Sequence, residues 1–396
     1  MIRDPFAILA VLLVIEGAVL YAAQLPRLKR FFNIVPFMFW IYFLPMLVGT
    51  LGLLPPAMAG KVVVTPLYDE IVIYCLPACL ILLMLHVDLR AILRLGGLAL
   101  AVMIAGAMGV MVGGLVVAML FGAYLPPDMW KGFGALAGSW TGGSTNLFAV
   151  SRGLKAPSSV EGNAIIVDTV VVYGWMIMLI FMARRQKGFD RWNRSRTGLI
   201  DELRRRAEVG GMGQARPITL GHIGAMAGIA VAGMAVARWA AALLPVVPDL
   251  ISGFTWTVIL ASTLGILLSL TPVRRLGRYG TTSVGYLLLY LILAAIGAMT
   301  NLSQLRDAGV LIPAGIVWVL IHGAFILLVG RLLRVPLALM ATASQANLGG
   351  VASAPVVAEN YQEGLAPVAL LLAIFGNISG TYLGITCAAM CRAVWP

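Results

Sequence analysis

Apolar residues in this chain form long blocks, separated by short segments that carry charges, glycines or prolines. A membrane-spanning helix needs about 20 mostly apolar residues, so each long block predicts one span. Two shorter apolar blocks, at 134–153 and 338–358, are each interrupted by a glycine pair. The ten long blocks lie near residues 6–24, 35–56, 67–86, 97–122, 160–183, 218–243, 251–270, 281–299, 309–331 and 365–390.

The composition supports the same class of protein. Hydrophobic residues make up 61% of the 396 residues, charged residues make up 11%, and the mean hydropathy is +0.96. Soluble globular domains are typically about 45–50% apolar and about 25% charged. The chain is therefore expected to be an all-α polytopic membrane protein.

The formal net charge of +12 does not indicate a nucleic acid partner, because the basic residues are concentrated in one polar stretch. Ten of the 28 lysines and arginines lie between residues 184 and 216. Short basic loops of membrane proteins stay in the cytoplasm, where they contact anionic lipid headgroups. We expect 184–216 to be a cytoplasmic linker and its partner to be the bilayer.

The two halves of the chain show signs of a duplication. Asp88 aligns with Asn301, the pair Gly142–Gly143 with Gly349–Gly350, and Asp168 with Asn377. The members of these matches are 213, 207 and 209 residues apart. Because order and spacing agree, we predict an internal repeat.

The basic residues also predict how the repeats are oriented. If block 134–153 crossed the membrane completely, the linker 184–216 would lie on the wrong side, so we expect this block to enter and leave on one side. If block 338–358 also enters and leaves on one side, each half contains five spans and one re-entrant or broken helical hairpin. An odd number of spans inverts the second half relative to the first. The basic residues used are Arg27, Lys29, Arg30, Arg90, Arg94, Arg274, Arg275 and Arg278.

These expectations divide the chain into two inverted repeats joined by the linker. The first repeat is 1–183, with a scaffold at 6–56 and a transport part at 67–183. The second is 217–396, with a scaffold at 218–270 and a transport part at 281–390. Interrupted helices in inverted repeats place substrate and ion sites near the membrane midplane in secondary transporters.

The glycine-interrupted blocks are therefore the expected substrate site, since glycine lets a ligand approach the backbone and small polar side chains bind it. The alternative is that the small residues only allow helices to pack closely. The proposed residues are Ser139, Thr141, Gly142, Gly143, Ser144, Thr145, Asn146, Ser344, Gln345, Asn347, Gly349, Gly350 and Ser353.

Asp168 is the clearest ionisable residue inside a predicted span, and such residues are costly and usually functional. Its repeat mate is the uncharged Asn377. One carboxylate and one amide suit a single site for a sodium ion or a proton. A structural hydrogen bond is the alternative role for Asp168. The repeat mates Tyr173 and Tyr382 either line the cavity or pack, and Glu16 is expected to be a scaffold residue.

Two other function classes are alternatives to a transporter. An intramembrane hydrolase would need a serine near a base, and Ser139 or Ser144 with His322 would supply such a pair. The sequence contains no GxSxG or HExxH motif, no Walker A motif and no selectivity-filter repeat for a passive channel. The cysteines form i, i+4 pairs in apolar blocks, which favours packing over a disulfide or metal site. We therefore expect no enzyme activity and no cofactor, apart from sodium as the coupling ion.

The segments SWTGGSTNLFAVSRGL, VDTVVVYGWM, SQANLGGVASAPVVA and LAPVALLLAIFGNISGTYLG resemble the DUF819 (YjcL-like) family of membrane proteins. The resemblance runs along nearly the whole chain and implies a polytopic protein of the inner (plasma) membrane, without naming a substrate. The paired glycine-rich hairpins are also distantly similar in architecture to sodium-coupled citrate and glutamate symporters. That similarity implies an elevator mechanism and a homodimer.

The combined expectation is a cation-coupled secondary transporter of a small polar metabolite, such as an amino acid, a short peptide or an organic acid. An intramembrane hydrolase and a passive channel are the alternatives.

Overall fold

The computed structural model describes residues 2, 4–28, 31–32, 37–55, 58–59, 62–63, 66–85, 87–196, 198–209, 217–247, 251–299 and 308–396. These residues are almost entirely helical, apart from a short antiparallel pair of strands, β1 (Met58–Ala59) and β2 (Val62–Val63). The proposed repeat match at Asn301 lies outside the described residues. The expectation of an all-α polytopic membrane protein is confirmed.

Seventeen α-helices are described. In chain order they are α1 (Pro5–Gln24), α2 (Phe37–Thr50), α3 (Leu67–Leu85), α4 (Leu89–Arg94), α5 (Gly97–Phe121), α6 (Met129–Gly142), α7 (Ser144–Gly153), α8 (Ser158–Met182), α9 (Gln186–Asn193), α10 (Gly198–Val209), α11 (Leu220–Ala241), α12 (Gly253–Ser269), α13 (Thr281–Met299), α14 (Ala308–Leu332), α15 (Leu337–Leu348), α16 (Gly350–Tyr361) and α17 (Ala366–Val394). Short 3₁₀ segments lie at Pro26–Leu28, Gly122–Tyr124, Ala183–Arg185 and Pro272–Tyr279.

Within the described residues, eight helices are long and apolar enough to cross a membrane, and a bent pair would make nine. Two of the ten expected spans are not among these eight helices. In the described part of block 35–56, α2 has 14 residues. Block 251–270 forms the 17 residues of α12, after which the chain turns by 98° into Pro272–Tyr279.

Polar residues that can cap a helix precede several of these helices. The Asp4 carboxylate accepts a hydrogen bond from the backbone N–H of Ala7 at 2.7 Å, at the start of α1. Ser252 and Thr255 form a capping box at the start of α12. Such side chains satisfy N–H groups that have no partner within the helix, which matters most where water is scarce.

The helices form two bundles. The first bundle contains α1, α2, α3, α11, α12 and α13, and the second contains α5, α6, α7, α8, α14, α15, α16 and α17. This grouping differs from the expected division, which assigned residues 67–86 and 281–299 to the transport part. In the structure, α3 and α13 from those blocks pack on each other and on α2 and α12.

Small residues bring the second bundle together closely. A Cβ atom on Gly109 of α5 would lie 2.8 Å from the Cα of His322 on α14. One turn away, Trp318 Nε1 donates a hydrogen bond to the carbonyl of Val110 at 2.7 Å. Backbones can approach this closely only where the side chain is missing, as is common between membrane helices.

The linker packs against the second bundle. Asn193 of α9 is fully buried and donates to the carbonyl of Val335 at 2.8 Å. Asp190 accepts a hydrogen bond from the N–H of Leu337 at 2.9 Å, at the start of α15. The first half of the linker is thus attached to the residues just before the second interrupted block.

Candidate functional site

Each interrupted block forms two helices that are broken at the glycines. Between α6 and α7, Gly143 has φ 87° and ψ 169°, a conformation that is essentially restricted to glycine. Between α15 and α16 the break falls at Gly349 and Gly350, and Gly350 has φ 58°. The glycines thus allow the backbone to leave the helical conformation at these points.

The two breaks lie against each other, although they are far apart in sequence. A Cβ atom on Gly350 would lie 3.3 Å from the Cα of Gly143, and one on Gly143 would lie 3.7 Å from the Cα of Gly350. Two non-helical stretches of backbone therefore meet inside the protein.

A small cavity of about 50 Å³ lies where the breaks meet. A water molecule needs about 10–15 Å³ of such volume, whereas sites for small organic molecules usually span about 300–1,000 Å³. The cavity therefore has room for a small ion or a few waters in this conformation. Its lining residues are Met38, Gly143, Ser144, Thr145, Asp168, Val172, Tyr173, Tyr286, Leu348, Gly349, Gly350, Val351, Ala352, Ser353 and Asn377.

Asp168 is the acidic residue of this lining, and two donors hold its side chain. Ser139 Oγ and Trp140 Nε1 both donate to Asp168 Oδ1, each at 2.9 Å. Two hydrogen bonds on one carboxylate oxygen orient the group and stabilise negative charge there. Ser139 thus contributes through Asp168 and does not itself line the cavity.

Asn377 lies close to the first break. Its Oδ1 atom is 3.3 Å from the position of a Cβ on Gly143, and its side chain lines the same cavity as Asp168. The lining also includes Ser144, Thr145 and Ser353. A carboxylate, an amide oxygen and hydroxyls are the kinds of oxygen ligand that hard cations prefer.

Other residues predicted for the first half of the site hold the helices in place. Thr141 Oγ1 donates to the carbonyl of the residue four positions earlier at 2.7 Å. Asn146 Nδ2 donates to the carbonyl of Gly142 at 2.9 Å, and its Oδ1 accepts from Thr381 Oγ1 of α17 at 2.6 Å. The bond from Thr381 attaches the first broken pair to α17, and the other two bonds lie within the pair.

In the second broken pair, Gln345 supports the lining and Asn347 does not reach it. Gln345 Nε2 donates to Ser353 Oγ at 2.7 Å and so orients a hydroxyl of the cavity. Asn347 Nδ2 donates to the carbonyls of Met103 and Ala343, each at 3.1 Å, which joins α15 to α5.

His322 pairs with a serine other than the two considered for a hydrolase. Its Nε2 atom is 2.9 Å from Ser344 Oγ, and its Nδ1 atom is 2.9 Å from the carbonyl of Gly106. Ser344 Oγ also accepts a hydrogen bond from Trp175 Nε1 at 2.9 Å. His322 and Ser344 are both buried, and neither lines the cavity at the breaks.

Two of the lining residues that were not predicted come from the first bundle. Met38 lies on α2 and Tyr286 on α13, so the cavity lies between the two bundles. No repeat or polar motif marks either residue in the sequence. Of the tyrosine repeat mates, Tyr173 lines the cavity, whereas Tyr382 Oη lies 2.7 Å from Thr263 Oγ1 elsewhere.

Among the described residues, no group of three or more His, Cys, Asp or Glu side chains is placed to hold a metal ion. All four cysteines are free thiols. The donor set at the breaks, with one carboxylate and neutral oxygens, matches a monovalent cation better than a transition metal.

Comparison with known proteins identifies the family. A family model described as "Protein of unknown function (DUF819)" matches residues 10–394. The chain is also 25% identical to the "Uncharacterized membrane protein YjcL" of Bacillus subtilis (strain 168), over 83% of this chain and 88% of that protein. Since the family model spans nearly the whole sequence, this multi-span membrane protein belongs to the DUF819 family.

Proposed function

We propose that this chain is a cation-coupled secondary transporter of a small polar metabolite, with sodium or a proton as the coupling cation. The observation that carries the proposal is the meeting of two broken helices, at Gly143 and Gly350, beside Asp168 and Asn377. Non-helical backbone inside a membrane is tolerated where protein or a water-filled cavity surrounds it. Secondary transporters place substrates and coupling ions at interrupted helices of this kind.

The contacts at the ends of the second broken pair support a re-entrant path. Before α15, the carbonyl of Arg334 accepts a hydrogen bond from the N–H of Arg196 in the linker. At the end of α16, Tyr361 Oη donates to the carbonyl of Leu179 at 2.6 Å, just before the linker begins. Both ends of this pair therefore lie on the linker side, which the positive charge assigns to the cytoplasm.

The first broken pair ends on the opposite side. Helix α13 starts just after the basic segment 272–279 and ends at Met299. Arg152, near the end of α7, has its Nη2 atom 3.7 Å from Met299 Sδ. Helix α5 starts near Asp88, which pairs with Arg274 at 3.0 Å, and leads to α6 at its other end. Two hairpins entering from opposite sides fit the proposed inverted repeats.

The position of the cavity suggests how access alternates. Met38 and Tyr286 of the first bundle line a cavity whose Asp, Asn, Ser and Thr residues all belong to the second bundle. We assign the second bundle, with both hairpins, as the moving unit and the first as the scaffold, so that sliding exposes the site to each side in turn. The small volume then represents a closed conformation that holds the cation, with substrate space opening when the bundles separate.

The chemistry of the lining restricts the substrate class. Hydroxyls, amides and backbone groups at the breaks suit a small polar molecule such as an amino acid, a short peptide or an organic acid. We place this transporter in the inner (plasma) membrane and expect it to work as a homodimer, as in the elevator architecture it resembles.

Transport assays in proteoliposomes test the proposal. Purified protein is reconstituted and supplied with radiolabelled amino acids, dipeptides and dicarboxylic acids, under an imposed sodium or proton gradient. We expect at least one compound to accumulate and the accumulation to collapse when monensin or a protonophore removes the gradient. Asp168→Asn should abolish accumulation, whereas the matched control Asp88→Asn, which changes a partly exposed pair and retains the helix cap, should not.

The same assay separates the alternatives. Equilibration without accumulation, at a rate independent of any gradient, would indicate a passive channel. Chemical conversion of a compound in detergent, with no membrane present, would indicate an enzyme. Unchanged accumulation in Asp168→Asn would remove the coupling role proposed for this carboxylate.

A further inference from the structure

A second and larger cavity lies on the opposite side of the protein from the linker, between the end of α7 and helices α3, α11 and α12. We call it the basic cleft. Its volume is about 620 Å³, within the usual range for sites that hold small organic molecules. It is lined by Asp69, Val72, Ile73, Arg152, Lys155, Ala156, Arg238, Ala241, Ala242, Gly253, Phe254 and Thr257.

Positive charge exceeds negative charge in the basic cleft. Arg152, Lys155 and Arg238 line it together with a single acidic residue, Asp69. Arg152 is held by Glu161, with Nη2 to Oε2 at 2.8 Å, and lies 3.9 Å from Asp69. These two carboxylates together offset at most two of the three positive charges.

The other two cations are not neutralised by these carboxylates. Arg238 stacks over the ring of Tyr74, at 5.3 Å from its centroid, a contact that leaves the charge in place. Among the described residues, Lys155 makes no ion pair, and its side chain is exposed. The ammonium group of Lys155 and the guanidinium group of Arg238 are therefore available to bind an anion.

The backbone at Lys155 is unusual for a lysine. Its φ is 52°, and it follows α7 in a Schellman motif, in which Ala156 N–H donates to the Ser151 carbonyl at 2.9 Å and Lys155 N–H to the Arg152 carbonyl at 3.1 Å. Glycine is the favoured residue at this position of the motif. The lysine is therefore not the residue that the turn itself favours.

Apart from Thr257, the rest of the basic cleft is apolar. Val72 and Ile73 come from α3, Ala241 and Ala242 from the end of α11, and Phe254 from the start of α12. These helix ends lie where apolar spans meet the headgroup region, because Arg238 is in the last turn of the 22-residue helix α11. A ligand that fits this surface carries an anionic group and an apolar chain.

We propose that the basic cleft binds an anionic phospholipid, with its phosphate held by Lys155 and Arg238 and an acyl chain along the apolar wall. Basic pockets between membrane helices bind anionic headgroups by the same chemistry. The cleft lies between α7 of the second bundle and three helices of the first, so this lipid would contact both bundles. The proposal does not depend on the transport function.

Thermal unfolding of the purified, delipidated protein tests it, with phosphatidylglycerol or phosphatidylcholine added in mixed micelles. The melting temperature of the wild type should be at least about 3 °C higher in saturating phosphatidylglycerol than in phosphatidylcholine. Lys155→Gly should lose most of this difference, because it removes the cation while relieving the backbone. Arg238→Gln should also reduce it.

Arg334→Gly is the matched control. Arg334 has φ 54° in a Schellman motif of the same kind, outside the lining of the basic cleft, and this variant should keep the full lipid effect. Equal melting in the two lipids for wild type, or an unchanged difference in Lys155→Gly, would overturn the proposal. An equal shift from inorganic phosphate or hexanoate without lipid would show a soluble anion as the occupant and overturn the lipid assignment.

Discussion

The Cα of Gly143 lies 3.3 Å from the position that a Cβ on Gly350 would occupy, so the two helix breaks touch through bare backbone. This contact joins residues from the two halves of the chain at the one cavity that also contains Asp168 and Asn377. A Cβ on Gly350 would press on the backbone of Gly143, whereas a Cβ on Gly143 would press on Asn377 Oδ1 at 3.3 Å.

Alanine at either break should therefore damage the site. Gly143→Ala puts a Cβ on a backbone with φ 87°, at 3.3 Å from Asn377 Oδ1, and Gly350→Ala places one against Gly143. Strained backbone of this kind costs about 1–3 kcal/mol. We expect a lower melting temperature and loss of transport.

Gly174→Ala is the matched control for these variants. Gly174 lies in helix α8, with open space around the position of a Cβ, so alanine there should be neutral or stabilise the helix by up to about 1 kcal/mol. Equal damage from Gly174→Ala and Gly143→Ala would show that the breaks have no special role.

The donors to Asp168 should affect cation dependence more than folding. Ser139→Ala and Trp140→Phe each remove one hydrogen bond to Asp168 Oδ1. Because these bonds orient the carboxylate, each variant should raise the sodium concentration that gives half-maximal uptake by about tenfold, which corresponds to about 1.4 kcal/mol. If the proton is the coupling cation, loss of a donor to the carboxylate favours its protonated form and should instead lower the half-maximal proton concentration. The measurement is the cation dependence of uptake at fixed substrate.

If Ser139 and Trp140 only stabilised helix packing, their substitution would have a different effect. It would lower the amount of folded protein and the maximal uptake rate and leave the half-maximal cation concentration unchanged. Thr141→Val provides the control, since the bonds of the Thr141 hydroxyl in the described part of the chain lie within its own helix.

Glu161→Gln should be strongly destabilising. Glu161 is fully buried and pairs with Arg152, of which only 11% is exposed, at 2.8 Å. Removing one partner of a buried ion pair typically costs about 3–5 kcal/mol, because the other charge stays buried without compensation. Thermal melting of the variant in detergent measures the loss.

Asp69→Asn is the control for Glu161→Gln, because it removes an exposed carboxylate near the same arginine. Asp69 is 53% exposed and 3.9 Å from the same arginine, so its replacement should cost no more than about 1 kcal/mol. If both variants melted alike, the buried pair with Glu161 would have no special contribution.

The attachment of the linker should control the order of the second hairpin. Asp190→Ala removes the side chain that accepts the N–H of Leu337, a capping interaction worth about 1 kcal/mol. Asn193→Ala removes the buried hydrogen bond to Val335. Hydrogen exchange across 337–348 should become faster in both variants.

The exposed Lys187 of the same helix serves as the comparison, and Lys187→Ala should leave that exchange unchanged. Protection of 337–348 that is insensitive to Asp190→Ala and Asn193→Ala would mean that the linker does not order the hairpin.

Much of the fold was predictable because hydropathy acts over short distances. A run of apolar residues long enough to span lipid must be helical there, and eight helices meet this condition within the described residues. The breaks were predictable too, since glycine pairs in apolar blocks permit a backbone that other residues resist. Within the predicted span 35–56, the described residues contain a helix of 14 residues, which includes Pro45.

The candidate site was less predictable at the level of single side chains. Ser139, Thr141 and Asn146 share the same small polar character in sequence. In the structure, Ser139 donates to Asp168, whereas Thr141 and Asn146 bond to backbone and to α17. Which way each residue points depends on the rotation of its helix against neighbours from the other half of the chain, and sequence spacing does not specify that rotation.

The amino-acid order alone was sufficient to predict the membrane class, the broken helices and the acidic Asp168 within an apolar helix, because each depends on local composition and backbone freedom. Long-range packing was needed to join Gly143 to Gly350, to bring Met38 and Tyr286 to the cavity, and to group α3 and α13 with the first bundle. Such contacts depend on how helices fit together in three dimensions, and residues far apart in the chain carry no local signal of that fit.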